Sequence, residues 1–106
     1  MSLPVLSTPE ADQQIREVDG WWHANRPAFP DLFADELGSA FDIIARTPNI
    51  GRSYQHPTVR GTRRILLRQT RYHVYYVASA EAVIVLAVWH ARRGVGPPLR
   101  AAAPPD

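Results

Sequence analysis

The stretch TRRILLRQTRYHVYYVASAEAVIVLAVWH, residues 62–90, decides the fold. Thr62 to Arg68 alternates, with Arg64, Leu66 and Arg68 on one face and Arg63, Ile65 and Leu67 on the other, which is the two-residue period of a strand. Tyr72 to Ala78 is aromatic and β-branched, and Ala82 to His90 is apolar almost throughout, the pattern of a strand covered on both faces. Gln69-Thr70-Arg71 and Ser79-Ala80-Glu81 are short enough to close antiparallel hairpins, so the three strands form a meander. Strict alternation puts Val83, Val85, Ala87 and Trp89 on one side of the last strand and Ile84, Leu86, Val88 and His90 on the other.

Upstream of the meander lie two amphipathic helices. Thr8-Pro9-Glu10 offers a cap oxygen, a proline whose φ suits the first turn, and an acid at the positive end of the helix dipole. Ala11, Ile15, Val18 and Trp22 follow on one stripe, and the helix ends near Ala24. Pro30-Asp31 opens a second helix with Asp35 and Glu36 early and Arg46 late; its stripe is Phe33, Leu37, Ala40, Phe41 and Ile44, and Pro48 stops it. Leu3 to Ser7, with Pro4, reads as an edge strand. Asn49 to Thr62 is rich in Gly, Pro, Ser and Asn and reads as a long loop. The expected architecture is an α+β domain, an antiparallel sheet in the order β-α-α-β-β-β with the N-terminal helical hairpin packed on one face. That leaves Ile84, Leu86, Val88 and His90 as an uncovered patch, a candidate binding surface. The expected domain spans residues 1–91, and 92–106, with four Pro and little apolar surface, is expected as a flexible C-terminal tail.

At 106 residues the chain fits one domain, and such a domain buries roughly 60–70 % of its unfolded surface. It has no cysteine, which excludes disulfides and thiolate metal sites. His23, His56 and His73 share no ligand spacing, so neither metal nor cofactor is expected. No apolar run approaches the roughly 18 residues of a membrane helix, and the expected location is the cytosol. All twelve cations are Arg. Residues 1–45 carry eight acids against two Arg, and residues 46–106 carry ten Arg against two acids, a net −6 facing a net +8. The basic half should attract an anionic partner. Arg63 and Arg64 are candidate bidentate donors, and Trp21, off the apolar stripe, is the tryptophan placed for contact, whereas Trp22 and Trp89 read as core.

Together the element order, Thr8-Pro9-Glu10-Ala11, the turn Thr47-Pro48-Asn49-Ile50-Gly51-Arg52, Gly61-Thr62-Arg63-Arg64 entering a strand, the pair Tyr72 and Tyr76, and the ending Val88-Trp89-His90-Ala91-Arg92-Arg93 resemble the RelE/ParE superfamily of type II toxins, over about residues 3 to 93. The long helical hairpin and the His-x-Arg-Arg ending are similar to the ParE-like branch. This resemblance implies a cognate ParD-like antitoxin wrapped around the toxin and DNA gyrase as the target. Residues implied to bind antitoxin or target are Trp21, Arg63, Arg64, Arg68, Ile84, Leu86, Val88, His90, Arg92 and Arg93. The RelE-like branch implies instead a ribosome-dependent mRNA endoribonuclease, whose base, phosphate-holding cations and acid would fall to Arg64, Tyr72, His90 and Arg92. Against that branch stand the absence of Lys and of any acid in the loop Pro48 to Thr62, where His56 is the substitute base. A degenerate, non-toxic binding module is the third reading.

Overall fold

The computed structural model describes residues 2–101. Its elements are β1 (Val5–Ser7), α1 (Pro9–Asn25), α2 (Leu32–Arg46), β2 (Arg52–Ser53), β3 (Arg63–Leu66), β4 (Tyr72–Ala78) and β5 (Val83–His90). They form the expected α+β domain: one five-stranded sheet, order β1-β5-β4-β3-β2, with the helical hairpin on one face. The sheet is mixed where an antiparallel one was expected. β2 to β5 are antiparallel neighbours, but β1 runs parallel to β5, with Val5 opposite Val83. The direction of β1 follows from its exit: one residue after it the chain enters α1, which lies on β5. β2 is a further strand inside the segment expected as loop.

The helix signals act as physical chemistry requires. Thr8 is the N-cap of α1 and its hydroxyl accepts from the Ala11 amide at 3.1 Å, with Pro9 following in the first turn. In α2 the stripe Phe33, Leu37, Ala40 and Ile44 is buried. These side chains join Val74, Tyr76, Val83, Val85 and Val88 in the core beneath the helices. Glu36 reaches from α2 to the β3–β4 turn, accepting from the Gln69 amide (2.7 Å) and from the amide (3.0 Å) and hydroxyl (2.7 Å) of Thr70. That turn passes through the left-handed region at Arg71, φ 68°.

β5 does not keep strict alternation. Tyr75 pairs with Ala87 and Tyr76 with Val85, so Leu86 is an extra residue, a β-bulge. Beyond it the faces exchange. Ile84 and Leu86 lie on the sheet's second face as expected, but Ala87 and Trp89 join them there, while Val88 turns to the helix-side core. His90 pairs with Tyr72 on the helix side. The expected patch Ile84, Leu86, Val88 and His90 is therefore split between the two faces, because one inserted residue inverts every later side chain. Helix α1 completes the bulge: the Thr8 amide donates to Val85 O at 3.0 Å, the Thr8 hydroxyl approaches Leu86 O at 3.5 Å, and the Gln14 side-chain oxygen accepts from the Val88 amide at 2.8 Å.

The second face is covered too. The segment after β5, expected as a flexible tail over 92–106, is described as far as Ala101 and lies across it. Pro97 is buried and Leu99, 7 % exposed, joins Val59, Tyr75, Leu86 and Ala87 in a second apolar cluster. Residues 102–106 lie outside the described part.

Replacing Gln14 by Met keeps length and removes the acceptor. It should cost about 1–3 kcal/mol, the penalty of an unsatisfied buried amide, measured by denaturant unfolding, with faster hydrogen exchange at Val88. An unchanged midpoint would mean that Gln14 does not support the bulge.

Candidate partner-binding groove

A groove of about 730 Å³ runs between α2 and the outer edge of β3. Glu36, Ser39, Ala40 and Ile43 form its helix wall, Ile65 to Gln69 its sheet wall, and Ile50 to Arg52 one end. Two large apolar side chains stand open beside it: Ile43 is 36 % exposed and Ile50 51 %. The pairing of β2 with β3 ends at Arg52 opposite Arg64, so beyond Arg64 the edge of β3 has no strand partner. Such an edge offers free backbone donors and acceptors. Arg52, Arg64 and Arg68 rim the groove.

The loop that carries Ile50 is held from below. The Tyr76 hydroxyl donates to Pro48 O (2.7 Å) and accepts from the Gly51 amide (2.9 Å). Arg63 donates to the carbonyls of Asn49 (3.2 Å) and Gly51 (2.8 Å). A Cβ on Gly51 would lie 2.6 Å from the Tyr76 oxygen and 3.0 Å from Arg64 O, so only glycine allows this approach. Burial pushes the Tyr76 phenol up, and the Gly51 hydrogen bond and the Arg63 charge pull the other way. Arg63, expected as a partner contact, is thus a loop clamp.

The expected catalytic set is not assembled. Arg64 lies on the second face, its guanidinium 5.1 Å from the Tyr54 ring and 3.3 Å from the Tyr75 hydroxyl. Tyr72 and His90 lie on the opposite, helix-side face, edge to face at 5.0 Å, with Phe33 beyond Tyr72 at 5.4 Å. Burial raises the Tyr72 phenol, and the Arg93 charge offsets part of this. His90 Nδ1 accepts from the Arg92 amide at 3.1 Å. The division has two causes: the β3–β4 register sets Arg64 opposite Tyr75 and so leaves Tyr72 on the other face, and the bulge in β5 turns His90 away from the face that holds Arg64.

The other expected contacts are dispersed. Trp21 is 45 % exposed, with Arg26 5.0 Å from its ring. Arg68 stands at the groove, Leu86 is buried beneath the C-terminal segment, and Arg93 lies 4.0 Å over Trp89. Among the described residues the ion pairs are those of His23 with Asp19 and Asp31, so no Arg is paired with a carboxylate. No group of His, Asp and Glu there is arranged to hold a metal. The Asp19 oxygen nearest His23 and the Trp22 indole nitrogen are buried without a hydrogen-bond partner.

The chain matches the family model described as "ParE toxin of type II toxin-antitoxin system, parDE" over residues 5–95. It belongs to the ParE toxin family. Its fold is similar to a solved chain described as "Chromosomal ParDE TA system from P. aeruginosa", with a TM-score of 0.70 and 11 % identity over 86 % of this chain and 98 % of that one. No curated protein matches it by sequence. The ParE-family match takes in the groove, both helices and all strands. No helix is long and apolar enough to cross a membrane among the described residues. Sequence reasoning missed Ile43, Ile50, Arg52, Tyr54 and His73 in this ParE-family chain. Ile50 carried a signal, an isolated aliphatic residue in a polar loop.

His73 faces the groove and its imidazole is held below the usual value by burial first and by the Arg64 charge second. The neutral form is therefore favoured on folding. The stability it supports is complete above the unfolded value near 6.5 and is lost as pH falls below that. His73→Gln should flatten the fall in Tm between about pH 7.5 and 5.5 relative to the parent; an equally steep fall in both proteins would contradict this assignment.

Proposed function

We propose that the chain is a growth-inhibiting toxin that acts on DNA gyrase without catalysis of its own, in the cytosol, and is neutralised by a ParD-like antitoxin. The observation that carries the antitoxin half is the groove beside β3: apolar at Ile43 and Ile50, open along a strand edge, and rimmed by Arg52, Arg64 and Arg68, none with a carboxylate partner among the described residues. An acidic segment with apolar anchors complements it, in either extended or helical form. The similar solved chain comes from a ParDE system, which supports such a pairing. The separation of Arg64 from Tyr72 and His90 supports an inhibitor over a nuclease, because proton transfer and phosphate stabilisation need their groups within reach of one scissile bond. Gyrase as target rests on family membership.

Tightly induced expression, with and without the reading frame adjacent to its own, tests both halves. Expected are growth arrest, induction of the DNA-damage response and rescue by the neighbour. Ile43→Glu should retain the arrest and escape rescue, with antitoxin affinity lowered about tenfold or more, equivalent to about 1.4 kcal/mol. Arrest with cleaved transcripts and no DNA damage would overturn the gyrase reading, and no arrest at all would leave a non-toxic binding module.

A further inference from the structure

Of the basic groups that line the groove beside β3, one has a charge that depends on pH near neutrality. His73 stands opposite Leu66 on β3, with Arg64 two residues before that partner and Arg68 two after, and all of them line the groove. The groups around this imidazole come from every neighbouring element. On β4 the Tyr75 ring lies 6.0 Å away, its hydroxyl taking a hydrogen bond from Arg64 at 3.3 Å. On β5 the paired residue is Trp89, with the Arg93 guanidinium 4.0 Å from its ring. Arg52 enters from β2, opposite Arg64. From α2 comes Glu36, the one acid of the lining among the described residues, and both of its oxygens are bound to the Gln69 and Thr70 turn.

The groove therefore gathers three arginines around a half-buried histidine and leaves no carboxylate of its own free to meet them. Burial and the Arg64 charge hold the imidazole neutral in the isolated protein. An acidic occupant reverses that balance. A carboxylate among these arginines offsets the charge that disfavours the imidazolium, and it accepts a hydrogen bond from the protonated ring. By linkage, occupancy and protonation then favour each other to the same extent.

We propose that a carboxylate of the groove's occupant seats against His73, so that the antitoxin segment binds with uptake of a proton and is held more tightly as pH falls from neutrality. This rests on the reading of the groove as the antitoxin seat. It adds a specificity to that reading: an acid on the occupant where it meets His73, beside the apolar anchors that meet Ile43 and Ile50. The occupant's carboxylates titrate at about 4 and stay charged through the window in which His73 gains its proton. Acid destabilises the free fold through His73 and strengthens the complex through the same residue, so the antitoxin protects the toxin most where it is weakest alone.

Titration calorimetry of the full chain with the purified product of the adjacent reading frame tests this. The parent should bind about threefold or more tightly at about pH 5.5 than at about pH 7.5. At about pH 6.5 the heat should differ between two buffers of unlike ionisation heat, in the sense of proton uptake. His73→Gln, which does not titrate, should lose the uptake and most of the pH dependence. His73→Arg should also show no uptake, yet at about pH 7.5 should match or exceed the affinity that the parent reaches only in acid; a merely structural role for His73 does not produce that gain. Equal uptake and equal pH dependence in parent and His73→Gln would assign the proton to another group and overturn the proposal. Binding by the parent without uptake would overturn it and leave the antitoxin reading in place, whereas no binding at either pH would remove that reading and this proposal with it.

Discussion

The contact between α1 and the bulge at Leu86 governs the rest of the molecule. An extra residue in β5 leaves backbone groups without a ladder partner, and the first two turns of α1 supply what is missing through the Thr8 amide and hydroxyl and the Gln14 oxygen. The same threonine caps the helix. Helix start, strand irregularity and helix–sheet packing are thus one structure. From it follows the exchange of faces that sends Val88 into the helix-side core and Ala87 and Trp89 to the other side.

Charge is divided with similar consequence. Several acids of the N-terminal half are committed within the fold: Glu36 to the Gln69-Thr70 turn, Asp12 to the Ser7 hydroxyl, and Asp19 and Asp31 to His23. The cations of the C-terminal half bond to carbonyls and rings, as Arg63 does to Asn49 and Gly51 and Arg93 to Trp89. The result is a basic surface on both sides of β3 with its charge uncompensated from within.

Much of the fold was legible in the residues. The stripe Phe33, Leu37, Ala40 and Ile44, the Thr8-Pro9 helix start and the three meander strands stand where their periods place them, because each signal is local. The bulge was not legible. A strand that is apolar on both faces carries no alternation to violate, so nothing in Val83 to Val88 distinguishes one register from another; the contacts that meet the bulge come from Thr8 and Gln14, dozens of residues away. The candidate site suffered from the same cause. His90 would share a face with Arg64 only if β5 alternated strictly, Tyr72 is parted from Arg64 by the β3–β4 register that pairs Arg64 with Tyr75, and the groove exists only once α2 and the β3 edge are adjacent. The C-terminal segment reads as too polar to fold alone, yet two residues, Pro97 and Leu99, suffice when an apolar face is already waiting.

Methyl and aromatic nuclear Overhauser contacts in the isolated protein test the division of the faces most directly. With Leu86 bulged, the Ala87 methyl should contact Tyr75 and Leu99 while the Val88 methyls contact the helix-side core around Val74. Contacts placing Val88 with Leu86 on the second face would contradict the exchange of faces, and would return His90 to the side that carries Arg64.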